Sequence, residues 1–257
     1  MTRTEPVLKI THEGPIAILT MNRPTKRNAM SDELLDALGD FFRRPPPDTR
    51  AVVLTGTAGH FCSGLDLSEH FVRTAEETLH HSRGWHGVMD AIQFGGLPVV
   101  SAMFGTVIGG GLELATSTHV RIAEPSCVFQ LPEGRLGIYV GGGATARVGR
   151  IIGADRMTEM MLTGRKYNAA EALTIGLTHY AVGTGEALPL AIELASKIAR
   201  NAPLSNYMMI NTIARAEDMS KADALYLESL SAAVAQTTPD AEEGMRAFLE
   251  KRPPKFR

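Results

Sequence analysis

Residues 97–123 read Leu97-Pro-Val-Val-Ser-Ala-Met103-Phe-Gly-Thr-Val-Ile-Gly109-Gly-Gly-Leu-Glu113-Leu-Ala-Thr-Ser117-Thr-His-Val120-Arg-Ile-Ala123. An apolar run with Pro98 near its start, where proline is tolerated, predicts a strand over 97–103. Gly109-Gly110-Gly111 then opens a helix through Leu112 to Ser117. At such a turn the backbone can approach a ligand closely and helix N-terminal N–H groups point outward. Val120–Ala123 is a short strand again. Strand, glycine turn, helix and strand in succession are the unit of an α/β layer structure with largely parallel strands. By itself the glycine triplet reads first as tight helix–strand packing.

Upstream, Ile16–Met21 reads as a buried strand with Val7–Thr11 as its hairpin partner across Glu13-Gly14-Pro15. Ser31 is a good N-cap, with Asp32 and Glu33 in the first turn of a helix running to about Arg43. Pro45-Pro46-Pro47 stops it. Ala51–Thr55 is a strongly apolar strand, a loop covers Gly56–Ser68, and a helix is predicted over His80–Phe94. Beyond Gly141-Gly142-Gly143 the pattern turns helical to the end. Asn168 with Glu171 resembles a capping box, and Thr238-Pro239 an N-cap followed by proline. Apolar residues at helical spacing, Ile192, Leu194 and Ile198, then Leu225, Leu230 and Val234, support an all-helical end. The expected division is an α/β core over 1–195 and a helical segment over 196–257.

The composition excludes several classes. The 257 residues carry 26 Lys+Arg against 28 Asp+Glu, without the basic excess of a nucleic-acid binder. With 44% hydrophobic residues the chain is not a disordered one. Ala91–Leu112 is uncharged and long enough to raise the question of a membrane span, but Gln93, Pro98, Ser101 and six glycines argue against it. Glu5, Pro6 and Lys9 interrupt any apolar run near the start, so no secretory signal is read. Cys62 and Cys127 form no CxxC pair and read as buried reduced thiols of a cytoplasmic protein. No HExxH pattern occurs among the histidines and no metal site is expected.

GxGxxG, Gly-Lys and GxSxG are all absent, which removes the dinucleotide fingerprint, the P-loop and the nucleophile elbow. What stands near the glycines instead is a pair of carboxylates. Glu113 lies in the first turn of the predicted helix, where the dipole favours it on structural grounds alone. Glu133 follows in Gln130-Leu-Pro-Glu133-Gly134, in a loop beside the second glycine cluster. Two carboxylates near backbone donors suit general acid–base work on a carbonyl compound. Spacing does not establish that the two meet.

Five motifs in order resemble the enoyl-CoA hydratase/isomerase (crotonase) superfamily, closest to its two-glutamate hydratases. They are Asn22-Arg-Pro with Lys26-Arg-Asn-Ala29; Val52–Gly56 with Phe61-Cys-Ser-Gly-Leu-Asp66-Leu67; Gly109–Ala115; Leu131-Pro-Glu133 with Gly137 and Gly141-Gly-Gly143; and Leu162-Thr-Gly164 with Ala169–Ala172 and Gly176-Leu177. The resemblance spans nearly the whole chain. It implies a crotonase-like ββα spiral core with a C-terminal helical trimerisation segment, and a homotrimer or homohexamer.

It also implies roles by position. The thioester oxygen of an acyl-coenzyme A would sit in an oxyanion hole made by the N–H groups of Leu65 and Gly110. Glu113 would activate water and Glu133 would exchange a proton at the α-carbon. Lys26, Arg27, Ala29, Ser63, Asp66, Leu67, Gly109 and Gly141 match positions that contact substrate or coenzyme A. The implied activity is hydration of a 2-enoyl-CoA in acyl-CoA and fatty-acid metabolism, with no cofactor beyond the coenzyme A of the substrate. Possession of both glutamates favours hydratase over isomerase. Isomerase, hydratase-lyase and acyl-CoA hydrolase chemistry stay open as alternatives, and a non-catalytic acyl-CoA-binding protein ranks below them.

The sequence departs from the family pattern in three places. Ser63 replaces a common alanine, Val140 replaces a proline, and Ser68 stands where some relatives carry a lysine for the coenzyme A phosphates. Cations of the tail, Lys251 to Arg257, are candidates to replace it, with a solvated, partly disordered end as the slightly favoured reading. Cys62 is expected to pack, Asp66 to order its loop, and His119 to be a strand or surface residue. Trp85 with Met89 reads as an apolar helix face, with part of the acyl pocket as the lesser alternative, and Tyr139 reads as a pocket wall.

Overall fold

In the computed structural model, residues 5–69 and 73–257 are described. Strands β1 (Leu8–Glu13) and β2 (Ile16–Met21) form the expected antiparallel hairpin. Helix α1 (Asp32–Arg43) follows, and the Ser31 side chain accepts a hydrogen bond from Leu34 N–H as its N-cap. Then come β3 (Ala51–Gly56), α2 (Ala75–Phe94), β4 (Val99–Met103), β5 (Thr106–Ile108), α3 (Gly110–Thr116), β6 (Val120–Ala123) and β7 (Val128–Gln130). After a 3-10 turn at Glu133–Leu136 the chain continues through α4 (Ala144–Ile152), α5 (Ala154–Thr163), α6 (Ala169–Thr174), β8 (Tyr180–Ala181), α7 (Ala187–Ile198), α8 (Pro203–Ala216), α9 (Lys221–Gln236) and α10 (Pro239–Leu249).

Six strands form one sheet in the order β1-β2-β3-β4-β6-β8, parallel except for the first pair. A second, parallel sheet pairs β5 with β7. The period-two alternation of the strands feeds two cores. Leu19, Met21, Val52, Leu54 and Met103 pack with α1, α2 and α3 on one face. Ile16, Ile18, Val53, Val100 and Ile122 face α7 on the other. The buried stripe of α7 is Ala187, Ala191 and Ala195, four residues apart, whose small side chains let the helix lie close to the sheet. Ile192, Leu194 and Ile198, expected as the apolar stripe, flank it and are only partly buried.

Other expectations need correction. Helix α2 begins at Ala75, not His80, capped by a reciprocal Thr74–Glu77 capping box. The chain after residue 143 is not wholly helical, because β8 adds an edge strand to the large sheet. The tail is not a loose end. Arg252 pairs with Glu243 and Glu250, Lys255 N–H donates to Glu243, and Arg257 N–H donates to Asp240. These contacts fold it back on α10. Leu225, Leu230 and Val234 of α9 are exposed, and that helix buries no residue in the monomer. No helix among the described residues is long and apolar enough to cross a membrane.

Candidate active site

The loop after β3 is pinned from two sides. Cys62 N–H donates to Thr106 C=O and Cys62 C=O accepts from Ile108 N–H. Two residues on, Met30 N–H donates to Gly64 C=O and Asp66 N–H to Met30 C=O. Leu65 lies between these last two contacts, so strand-like alternation turns its N–H away from Met30. That N–H donates to no group among the described residues. Neither does Gly110 N–H, which belongs to the first residue of α3, where a helix leaves its donors open. A methyl added at Gly110 would stand 3.5 Å from Leu65 N and 2.8 Å from two ring carbons of Trp85. The two free N–H groups therefore border one spot, and only glycine leaves room there.

That spot opens into a cavity of about 570 Å³. Ser63, Leu65, Leu67, Gly109, Gly110, Glu113, Glu133 and Gly141 all line it. Of the residues singled out in sequence, Lys26, Arg27, Ala29 and Asp66 do not. They form the shelf beside it. Lys26 C=O accepts from the Ser63 hydroxyl and Arg27 C=O from Ser63 N–H, while Ala29 C=O accepts from Arg23 at 2.5 Å. Burial alone would raise Asp66, but hydrogen bonds from Ser68 and Arg23 hold it down at about 2. Its carboxylate is thus engaged in ordering the loop. Lys26 Nζ donates to Ser68 Oγ at 2.8 Å.

Glu113 comes from the first turn of α3 and is 3% exposed. Its Oε1 accepts from Gly142 N–H at 2.8 Å and Ala144 N–H at 3.0 Å. Burial raises its pKa, against the opposing effect of those donors and of the Arg147 charge. Glu133 stands in the 3-10 turn, not in an irregular loop. Burial pushes its carboxyl up to about 7, and the Glu113 charge adds to the rise. Its Oε2 has no hydrogen-bond partner among the described residues. The cavity thus holds one carboxyl gripped by two backbone donors and one with an unpartnered oxygen, both raised by burial.

Sequence reasoning left Thr78, His81, Ser82, Leu136 and Ile138 unassigned, while Tyr139 is the pocket wall it was expected to be. Thr78, His81, Ser82 and Trp85 of α2 face the cavity at positions i, i+3, i+4 and i+7, a single helix stripe. Leu136, Ile138, Tyr139 and Val140 line the opposite side. Trp85 is a cavity wall as well as a core residue. His119 is neither a base nor a surface group: Nδ1 accepts from Val99 N–H and Nε2 pairs with Gln93 C=O. Cys62 is buried, which raises its thiol to about 12.

A family model described as enoyl-CoA hydratase/isomerase matches residues 11–257. An enoyl-CoA hydratase of Mycobacterium tuberculosis is 34% identical over 252 residues, covering 96% of this chain and 95% of that one. The 2,3-dehydroadipyl-CoA hydratase of Escherichia coli is 32% identical over 252 residues, covering 97% and 98%. Among solved structures, a Rhodopseudomonas palustris chain provisionally named an enoyl-CoA hydratase superposes with a TM-score of 0.93 at 45% identity, covering 98% of each chain.

Proposed function

The chain belongs to the enoyl-CoA hydratase/isomerase family, and from that premise we propose that it adds water across the double bond of a 2-enoyl-CoA thioester, or runs the reverse dehydration. One observation carries the reading: Glu113 and Glu133 share a cavity with the free N–H groups of Leu65 and Gly110. In the forward direction Glu113 takes a proton from water as its oxygen bonds to the β-carbon. The π electrons move toward the thioester oxygen, where Leu65 and Gly110 N–H stabilise the developing enolate. Donors fixed in advance of the reaction are worth about 2.7–4 kcal/mol each. The α-carbon then takes its proton from Glu133, whose carboxyl burial raises to about 7. Both protons are accounted for by the two side chains, and no step calls for a metal or redox cofactor.

The same reading places the coenzyme A moiety over the shelf of Lys26, Arg27, Ala29, Ser63, Asp66 and Leu67. It also takes the exposed apolar residues of α8 to α10, among them Ile213, Tyr226, Phe248 and Leu249, as contacts of a homotrimer or homohexamer. The two cysteines, buried and unpaired, suit a reducing compartment such as the cytoplasm.

The test is kinetic. Glu113→Gln and Glu133→Gln should each lower kcat on a short 2-enoyl-CoA by about 10²–10⁴ with little change in KM. Near wild-type turnover by either variant refutes its role. Faster consumption of a 3-enoyl-CoA than of its 2-enoyl isomer would replace hydration by isomerisation.

A further inference from the structure

Glu113 is held by a turn, and the turn is held by α2. Gly142 and Ala144 supply its two N–H donors. Gly141 C=O accepts from the Ser82 hydroxyl at 2.6 Å. Gly142 C=O lies 3.4 Å from Arg147 Nη1, within hydrogen-bond reach. The same guanidinium donates through Nε to Gln93 Oε1 at 2.7 Å and through Nη2 to Asp90 Oδ1 at 2.6 Å. Arg147 begins one turn into α4 and its side chain is 9% exposed. It occupies the space a side chain at position 143 would need.

A buried guanidinium with three directed contacts has a fixed position, because its planar fork leaves little rotational freedom once each arm is engaged. Two of those contacts are to α2 and the third is to the turn. The geometry therefore joins the helix wall of the cavity to the peptides that grip Glu113. It also places a cation near a carboxylate that burial disfavours as an anion. The other titratable groups around the Glu113 cavity include Arg73, which precedes α2 and lines the same cavity. Glu133 comes from the 3-10 turn, and α2 brings His81, His86 and Asp90, the last of them held on Arg147. Neither α3 nor β5 carries a further charge, and Arg150 of α4 turns away to Glu217 and Asp218.

We propose that Arg147 is a positioning residue for catalysis: it fixes the 141–144 turn that holds Glu113 and supplies a positive charge that favours the ionised form of this carboxyl. The proposal rests on Glu113 acting as the base of the hydration reaction. Arg147 itself reaches no substrate atom, so its effect must appear through Glu113. A base works only when ionised, so the acidic limb of the kcat/KM profile reports the Glu113 proton in the free enzyme.

The experiment is that profile for Arg147→Gln and Arg147→Lys on the full-length protein, with a thermal melt of each. Arg147→Gln should move the acidic limb up by about one pH unit, which is about a tenfold loss on its acid side. Arg147→Lys should return most of the shift. A loss equal at every pH, with the limb unmoved, overturns the proposal. Should Arg147→Gln not fold, Asp90→Asn serves in its place. It removes the countercharge, leaves the Gln93 and Gly142 contacts, and should move the limb to lower pH. An upward shift overturns the proposal. If the wild-type protein hydrates no enoyl thioester, the hydratase reading fails separately. The carboxyl carbon of Glu113, titrated by NMR, then decides the Arg147 question, and an Arg147→Gln midpoint no higher than wild type overturns it.

Discussion

Gly142 N–H donates to Glu113 Oε1 at 2.8 Å, and the α-carbon behind it has no room for a side chain. A methyl there would stand 2.6 Å from Glu113 Oε2 and 2.8 Å from the Trp85 ring. Contacts under 3 Å force a shift, and neither neighbour is free to give way. Gly142→Ala should therefore displace Glu113, the proposed base, without removing it. We expect a fall in kcat on the order of 10², as for other misplacements of a catalytic group, and a smaller change in KM. Steady-state kinetics beside a thermal melt separates this from unfolding. A Gly142→Ala enzyme with unchanged kcat would show that the turn yields and that its contact with Glu113 is slack.

Glu133 should cost the folded protein stability at high pH. Its carboxyl is pushed from the ordinary 4.5 to about 7, burial being the main cause. The folded state then holds its proton to higher pH than the unfolded state does. Stability from this group is fully present below about 4.5 and is lost as pH rises through about 7. Glu133→Gln removes that dependence. The variant should match wild type near pH 4 and exceed it near pH 8.5 by at most about 3 kcal/mol. Urea denaturation at the two pH values measures it. A gain of equal size at both would mean that packing, not ionisation, separates the two proteins.

Asp66 has the opposite sign. Burial would raise it, but Ser68 and Arg23 outweigh burial and hold it at about 2. Its stabilising contribution is present above the ordinary 3.8 and is lost as pH falls toward 2. Asp66→Asn leaves Arg23, 14% exposed, facing a weaker partner, and should cost about 3 kcal/mol, at the lower edge for a broken buried pair. Leu65 precedes it in the chain, so its N–H, the proposed oxyanion donor, should shift as well. The expected result is a lower melting temperature together with lower kcat/KM. An unchanged melting temperature would place the loop's order elsewhere, in the Met30 and Thr106 backbone contacts.

Short-range chemistry made much of this site legible in the sequence. Ser31, Asn168 and Thr238 cap their helices as expected because a cap needs only its own next three residues. Gly109 to Gly111 could be placed at a helix start for the same reason. The first turns of α2 were missed because residues 75–79 carry no apolar face and their capping box was the only signal. Strands β5 and β7 are three residues each, too short for alternation to register. The Arg147 contacts join positions more than fifty residues apart. Nothing in α4 alone distinguishes that arginine from the exposed Arg150 three residues on. The tail's return depends on Arg252 meeting Glu243 across a turn, which a count of cations could not reveal. Trp85 and Met89 share the apolar face that their spacing predicts, and both are buried. Periodicity assigns a face to a helix but not whether that face meets packed side chains or a cavity.

Trp85 provides the last prediction, because it is both a wall and a reporter. Its ring carbons approach Gly110 and Gly142 together, so the indole closes the cavity beside the free Gly110 N–H and the turn that holds Glu113. It is the only tryptophan in the chain, so intrinsic emission comes from this one ring. A saturated acyl-CoA, which binds without reacting, should change that emission saturably, whereas free coenzyme A should change it less because no acyl group reaches the ring. Shortening the wall should change selectivity. Trp85→Ala would cost about 3–5 kcal/mol of packing, so Trp85→Phe is the better variant, since it keeps an aromatic core residue. One ring's worth of added space in an apolar pocket is worth about 1–3 kcal/mol of discrimination. Relative kcat/KM should therefore move by about 10-fold or more toward 2-enoyl thioesters bulkier at the β-carbon. Should Trp85→Phe leave that ratio unchanged while the emission of wild type responds to ligand, the indole borders the acyl group without limiting its size, and the limit must come from Leu136, Ile138 and Val140 opposite.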